Sequence, residues 1–214
     1  TVLKQYAPPR GSHPQTPMAR PKSFIPEQAL QKAMHVFWEK GYEGASIQDL
    51  TQAMGINRFS LYDTFGDKHA LYLQTLDMYA NCVVKSFTRD LHELVERVGP
   101  LDAIEQSLLN MVDRAHQPAD TCGCLYQRAV TEMASADPEV RKRFERSQER
   151  LHQIYADLLR QARDAGELAE GVRIPDAAWS IILLQMGIVS LDAAPPPRKA
   201  GRAAVRTLIS TLRA

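Results

Sequence analysis

From Ala29 onward, apolar residues return every three or four positions, and the alternation expected of a half-buried strand is almost absent. Ala29-Leu30, Ala33-Met34 and Phe37-Trp38 repeat every four residues and stop at Gly41. A stripe with that period has to be buried against other helices, which confines the chain to all-α architectures. Local signals place the helix ends. Ser46 and Asp49 have the spacing of a capping box, and Ile47, Leu50 and Ala53 face inward until Gly55. Asn57 is an N-cap for a short third helix over about 57–64, and Asp67 caps a long fourth one over about 67–97, closed by Gly99-Pro100.

Five more helices are expected at about 101–116, 122–135, 138–165, 175–192 and 199–213. Asp137-Pro138-Glu139 supplies a cap, a first-turn proline and an acid at the positive helix end. Gly166, Gly171, Pro175 and Pro195-Pro196-Pro197 mark the later boundaries. The expected fold is all-α, with about nine helices: a three-helix head at 24–66 and a larger helical body at 67–214. Residues 1–23 form a proline-interrupted arm in which Lys4, Arg10, Arg20 and Lys22 meet no acid before Glu27. The arm reads either as a disordered tail or as a strand lying along phosphate or in a minor groove. Met18 is a candidate natural start, in which case residues 1–17 are not native.

Composition narrows the function class. A chain of 214 residues with net charge +1 gives no bulk-charge argument for any partner. Its three cysteines, Cys82, Cys122 and Cys124, are too few and odd in number for a disulfide scaffold, which fits a reducing compartment. No run approaches a membrane span and no signal-peptide core is present, so a soluble cytoplasmic protein is expected, without membrane contact. No glycine-rich phosphate loop follows a strand, and no H-E-x-x-H or G-x-S-x-G sequence occurs, so no enzyme, cofactor or metal site is expected.

The stretch GINRFSLYDTFGDK at 55–68 carries the functional signal. Ile56, Leu61 and Phe65 form one apolar side, while Arg58, Phe59, Tyr62 and Asp63 fall on others. Three short helices with a glycine turn before the third is the helix-turn-helix arrangement, whose last helix needs one buried side and one side offering hydrogen bonds and flat apolar surface to DNA.

The run A..VFWEKGYEGASIQDLTQAMGINRFSLYDTFGDKHALY resembles the tetracycline-repressor (TetR/AcrR) family of bacterial transcription regulators. The aromatic-x-x-x-Gly-Tyr end of the first helix, the serine cap, the Gly-Ile turn, Leu-Tyr-x-x-Phe and Gly-Asp-Lys fall in order over about 26–76. Beyond it, the chain resembles the family in length, helix count and the Gly-Cys-Leu at 123–125. The resemblance implies a homodimer on a palindromic double-stranded DNA operator, with repression as the default and release by an unknown small-molecule effector. It implies that Arg58 reads a base edge, that Phe59 meets a thymine methyl and that Gln48 reaches a base. It also implies phosphate contacts from Ser46, Tyr62 and Thr64, and from Lys68 at a helix start. Asn57 and Ser60 complete the candidate DNA-binding set. Tyr62 as core and Arg58 as a phosphate contact are the bland alternatives. Asp63 departs from the family pattern, and residues 18–80 hold six Lys/Arg against seven Asp/Glu, so phosphate affinity must come from a few placed groups.

The body is implied to hold the effector site and the dimer interface. AAWSIILLQMGIVSL is apolar most of the way round, so the helices at 175–192 and 199–213 are the interface candidates, with Ile182 and Val189 as positions where an added charge would report on it. Met111, Cys122, Cys124, Tyr126, Met133, Trp179 and Met186 are candidate effector-site residues, although methionines and rings at helical spacing also fill cores. Cys122-Gly-Cys124 offers a different-class alternative: a thiol- or metal-sensing redox protein, with Cys82 or His116 as a partner and DNA binding secondary.

Overall fold

The computed structural model describes residues 24–116, 124–190 and 195–214, and nine helices are present among them. The basic arm and Cys122 lie outside the described residues. Helix α1 (Pro26–Gly44) buries the expected stripe of Ala29, Ala33, Met34 and Phe37. At Gly41 the backbone leaves the helix with φ 76° and ψ 176°, and one further turn follows. Ahead of α2 (Ile47–Met54), Ser46 Oγ accepts from the Asp49 N–H and Asp49 Oδ2 accepts from the Ser46 N–H, both at 3.0 Å. Gly55 then sits in the left-handed region (φ 70°, ψ 32°), and the N–H groups of Gly55 and Ile56 both return to Thr51 O. That closure ends α2 and aims the chain into α3 (Arg58–Phe65). Asn57 Oδ1 caps α3 through the Ser60 N–H at 2.8 Å, and Asp67 caps α4 (Lys68–Val98) through Ala70 N–H at 2.7 Å.

Helix α4 is the spine. Its 31 residues span about 46 Å at 1.5 Å per residue, so it joins two cores. Leu71, Tyr72, Leu76 and Tyr79 pack with α1 to α3, whereas Leu91 packs in the body. The body comprises α5 (Pro100–Arg114), α6 (Leu125–Met133), α7 (Pro138–Asp164), α8 (Ile174–Ser190) and α9 (Arg198–Leu212). Packing does not stop at residue 66: Leu125, Tyr126 and Ala129 of α6 and Val140 of α7 belong to the same core as Phe37 and Leu61. Helix α6 therefore lies against both head and body.

Two long-range ties had no counterpart in the sequence reading. Gly99 offers α5 no side-chain cap, and Glu167 Oε2 instead accepts from the Leu101 N–H at 3.1 Å. Leu168 and Arg213 form an isolated antiparallel bridge that pins the C-terminus. One expectation fails. Ile182 is fully buried in the chain's own core and Val189 lines a cavity, so a charge at either would disturb the fold itself. The outward side of α8 is carried by Trp179 and Leu183, which are 39% and 65% exposed.

Candidate nucleic-acid interface and internal cavity

The buried side of α3 is Leu61 and Phe65, with Ile56 packed half-buried beside them. Arg58, Phe59, Tyr62 and Asp63 all face outward. Phe59 is 79% exposed and Tyr62 39%, which removes Tyr62 from the core. Arg58 and Tyr62 are one turn apart and interact: Arg58 Nη2 donates to the Tyr62 hydroxyl at 3.3 Å, and the guanidinium carbon lies 5.6 Å from the ring centroid. The arginine is thereby steadied on the helix face with donors to spare. Asn57 and Gln48 are exposed and Ser60 is half-buried.

Lys68, the first residue of α4, holds its ammonium 4.6 Å from the Tyr42 ring centroid. Two assignments change in detail. Thr64 Oγ1 is sealed from solvent without a hydrogen-bond partner: position 64 follows Leu61 by three residues and turns toward the same side, so it is not placed for phosphate. Ser46 is exposed, yet its hydroxyl already donates to Asp49 Oδ2 at 2.7 Å while accepting from the Asp49 N–H. It reaches phosphate only by giving up that donation. Lys40 is likewise engaged, 2.6 Å from Asp49 Oδ1, and with Ser46 it holds the Asp49 carboxyl well below the usual carboxylate range.

The body holds a cavity of about 790 Å³ walled by α4 to α9 and open to solvent beside the exposed Val83, Ser86 and Asp90. Of the candidate effector residues, Met111, Cys124, Tyr126 and Met186 line it. Met133 does not, because it packs into the head-side core, and Trp179 does not, because it faces outward and stacks on His152 at 5.0 Å. Cys124 is the N-cap residue of α6, and the Tyr79 hydroxyl approaches its Sγ at 3.6 Å. Burial, followed by the neighbouring Cys124, pushes the Tyr79 phenol well above its ordinary pKa, and burial pushes Tyr126 up to about 12, so both rings stay neutral. No group of three His, Cys, Asp or Glu side chains suited to a metal occurs among the described residues. His116, proposed as a thiol partner, instead faces Val112 O and Pro196 O at 2.8 and 3.0 Å.

Between cavity and head, α6 makes a two-residue clasp on the end of α1. Arg128 Nη1 donates to the carbonyls of Trp38 and Glu39 at 3.0 and 3.1 Å. One turn later, Glu132 accepts from the N–H groups of Tyr42 and Glu43 at 2.9 and 2.8 Å. These are backbone groups left over where Gly41 breaks the helix. The other side of α6 reaches the body through Gln127 Nε2, which donates to Met186 O at 2.9 Å.

Residues 29–75 match the family model described as bacterial regulatory proteins, tetR family, and residues 100–208 match the tetracyclin repressor-like C-terminal domain. An uncharacterized HTH-type transcriptional regulator of Bacillus subtilis, YezE, is 34% identical over 152 residues, covering 71% of this chain and 76% of the relative. The chain belongs to the tetR family. The HTH-type transcriptional repressor BdcR of Escherichia coli is 30% identical over 123 residues, covering 57% of this chain and 59% of the repressor. Among solved structures, a cysteine mutant of the TetR family regulator CifR, complexed with 26-bp double-strand operator DNA, superposes with a TM-score of 0.72 at 27% identity. The match covers 89% of this chain and 98% of that one. The reduced form of E. coli NemR shares the fold, with a TM-score of 0.72 at 17% identity over 88% of this chain and 96% of that one.

The clasp was not legible beforehand, since its partners are some 90 residues apart; the only signal was Gly41 itself. A Cβ at Gly41 would lie 2.7 Å from Glu132 Oε2, on a backbone with φ 76°. Gly41→Ala in this regulator is expected to lower stability by about 1–3 kcal/mol, read by urea unfolding. Unchanged stability would show that the α1 end re-forms without the strained turn.

Proposed function

We propose that this tetR-family chain is a cytoplasmic, effector-released repressor that grips a palindromic operator as a homodimer. The observation that carries the reading is the split of α3: Leu61 and Phe65 are sealed while Arg58, Phe59 and Tyr62 stand outward. Arg58 reads a guanine edge in the major groove, the Phe59 ring meets a thymine methyl, and Tyr62 and Lys68 hold phosphate. Gln48, Asn57 and Ser60 flank this surface. The cavity supplies the responsive half. A molecule seated against Met186 acts on the Gln127 contact and, through α6, on the clasp at α1. A coupling of about 1–3 kcal/mol along that route changes affinity about 5- to 150-fold.

Dimerisation is supported by the outward side of α8, where Trp179 and Leu183 are exposed, and by the outward residues Ala200, Ala203, Ala204 and Thr207 of α9, which are small enough for close helix approach. A two-fold axis through these helices would set two recognition helices about one DNA turn apart. The redox alternative is not favoured, because the family is one of regulators and Cys124 sits in the cavity wall. The test is a gel shift with DNA flanking the chain's own gene across a salt series. Saturable binding that survives excess random DNA is expected, with affinity falling linearly in log salt. Equal affinity for flanking and random DNA would overturn the reading.

A further inference from the structure

We infer that Asp63 is a base-reading residue: its carboxylate accepts a hydrogen bond from the N4 amino group of one cytosine in each operator half-site. The inference rests on the DNA-binding reading above and names a sequence feature that the same surface selects.

Asp63 holds the most outward position of α3. At about 100° per residue it lies about 180° round the helix from the midpoint between Leu61 and Phe65, the two sealed residues. Phe59, one turn earlier, lies about 140° round from the same midpoint. The centre of the outward surface is therefore a carboxylate beside an apolar ring. Asp63 is exposed, and among the described residues no hydrogen bond or ion pair reaches its carboxylate. The nearby acids differ in this respect: Asp49 is held by Lys40 at 2.6 Å, and Asp67 accepts from the Ala70 N–H at 2.7 Å. No cation lies alongside Asp63 on its own helix. Phe59 and Ser60 are its neighbours one turn back, and α3 ends two residues later at Phe65.

An unpaired carboxylate at the centre of a surface that meets a polyanion weakens binding to every sequence, unless the DNA supplies a donor. Phosphates supply none. In the major groove the donors are cytosine N4 and adenine N6. Adenine sets its N7 acceptor beside N6, and that lone pair opposes a carboxylate, whereas cytosine sets a C5–H beside N4. The carboxylate therefore favours cytosine and is repelled by the acceptors of the other edges. Discrimination arises as much from that repulsion as from the bond itself.

The experiment uses the full chain and selection from a randomised duplex library, followed by affinity measurements on the selected site. Wild type is expected to select an inverted repeat with one invariant cytosine per half-site, whose replacement lowers affinity about 5- to 150-fold. Asp63→Ala should lose preference at that position alone and bind random DNA more tightly than wild type. Asp63→Asn, whose amide both accepts and donates, should shift that position toward adenine. N4-methylcytosine keeps the pairing hydrogen and replaces the groove-facing one with a methyl group. Placed at each selected cytosine in turn, it should weaken wild type at the Asp63 position and leave Asp63→Ala indifferent there. The modified base probes wild type directly, and circular dichroism verifies the helices of both variants. A motif that Asp63→Ala selects unchanged would overturn the inference and leave the regulator reading standing. So would wild-type affinity that no N4-methyl group alters, or a loss of preference spread evenly over every position, which would make Asp63 a support of α3. A wild type that selects no motif would sink both readings.

Discussion

Leu183→Glu is expected to convert the protein to a monomer at micromolar concentration and to weaken operator binding by about 10²–10⁴-fold, the scale of avidity lost when two linked sites become independent. The side chain is 65% exposed on α8, so the protomer has no reason to unfold when a carboxylate replaces it. In a two-fold interface the same position recurs on both partners, and two unpaired carboxylates would be buried together. Light scattering reads the mass, circular dichroism verifies the helices, and a gel shift reads the affinity. Ile182 is one residue away, about 100° round the helix, and is buried in the chain's own core, so Ile182→Glu is expected to disrupt the fold and say nothing of assembly. A Leu183→Glu protein that stays dimeric would move the interface away from α8.

The contrast between positions 182 and 183 shows where sequence reasoning runs out. Caps are written within four residues of the groups they satisfy, which is why Ser46, Asn57, Asp67 and Asp137 each proved to accept the expected backbone N–H groups. The buried side of α3 was legible for the same reason: Leu61 and Phe65 are one turn apart. Which side of α8 meets its own protomer was not, since a helix apolar nearly all round gives no phase. Gln148, a buried residue of the cavity wall, was missed because it sits in the charged run RKRFERSQERLHQ, which reads as a solvated face. Its register with Phe144 and Leu151 was the available signal. Glu167 capping α5 and the Arg128–Glu132 clasp join residues 66 to 90 positions apart, and such pairs become visible only once the helices are placed side by side. Thr64 was misassigned because spacing fixes a side, and a residue at the margin of the buried side can turn its hydroxyl inward.

Arg58→Ala and Lys68→Ala should both weaken DNA binding, but in different ways. Arg58 projects from the first turn of α3 and is steadied by Tyr62, both through the ring at 5.6 Å and through the hydroxyl at 3.3 Å. A guanidinium held in that way presents its remaining donors to a base edge with little entropy left to lose. Its removal is expected to cost about 1–3 kcal/mol on the operator, to relax the preference at one base pair and to leave random DNA nearly unaffected. Tyr62→Phe keeps the ring and loses the hydroxyl that both steadies Arg58 and holds phosphate, so it should show a smaller base relaxation together with a weakening on operator and random DNA alike. Lys68 stands at the start of α4 over Tyr42, where the helix N-terminus already favours an anion. Lys68→Ala should therefore weaken operator and random DNA alike and reduce the salt slope by about one. Competition gel shifts over a salt series, with single-base operator variants, distinguish the two signatures. If Arg58→Ala left operator and random DNA binding unchanged, or weakened both by the same factor, Arg58 would be at most a phosphate contact, and base reading would have to come from Gln48, Phe59 or Asp63.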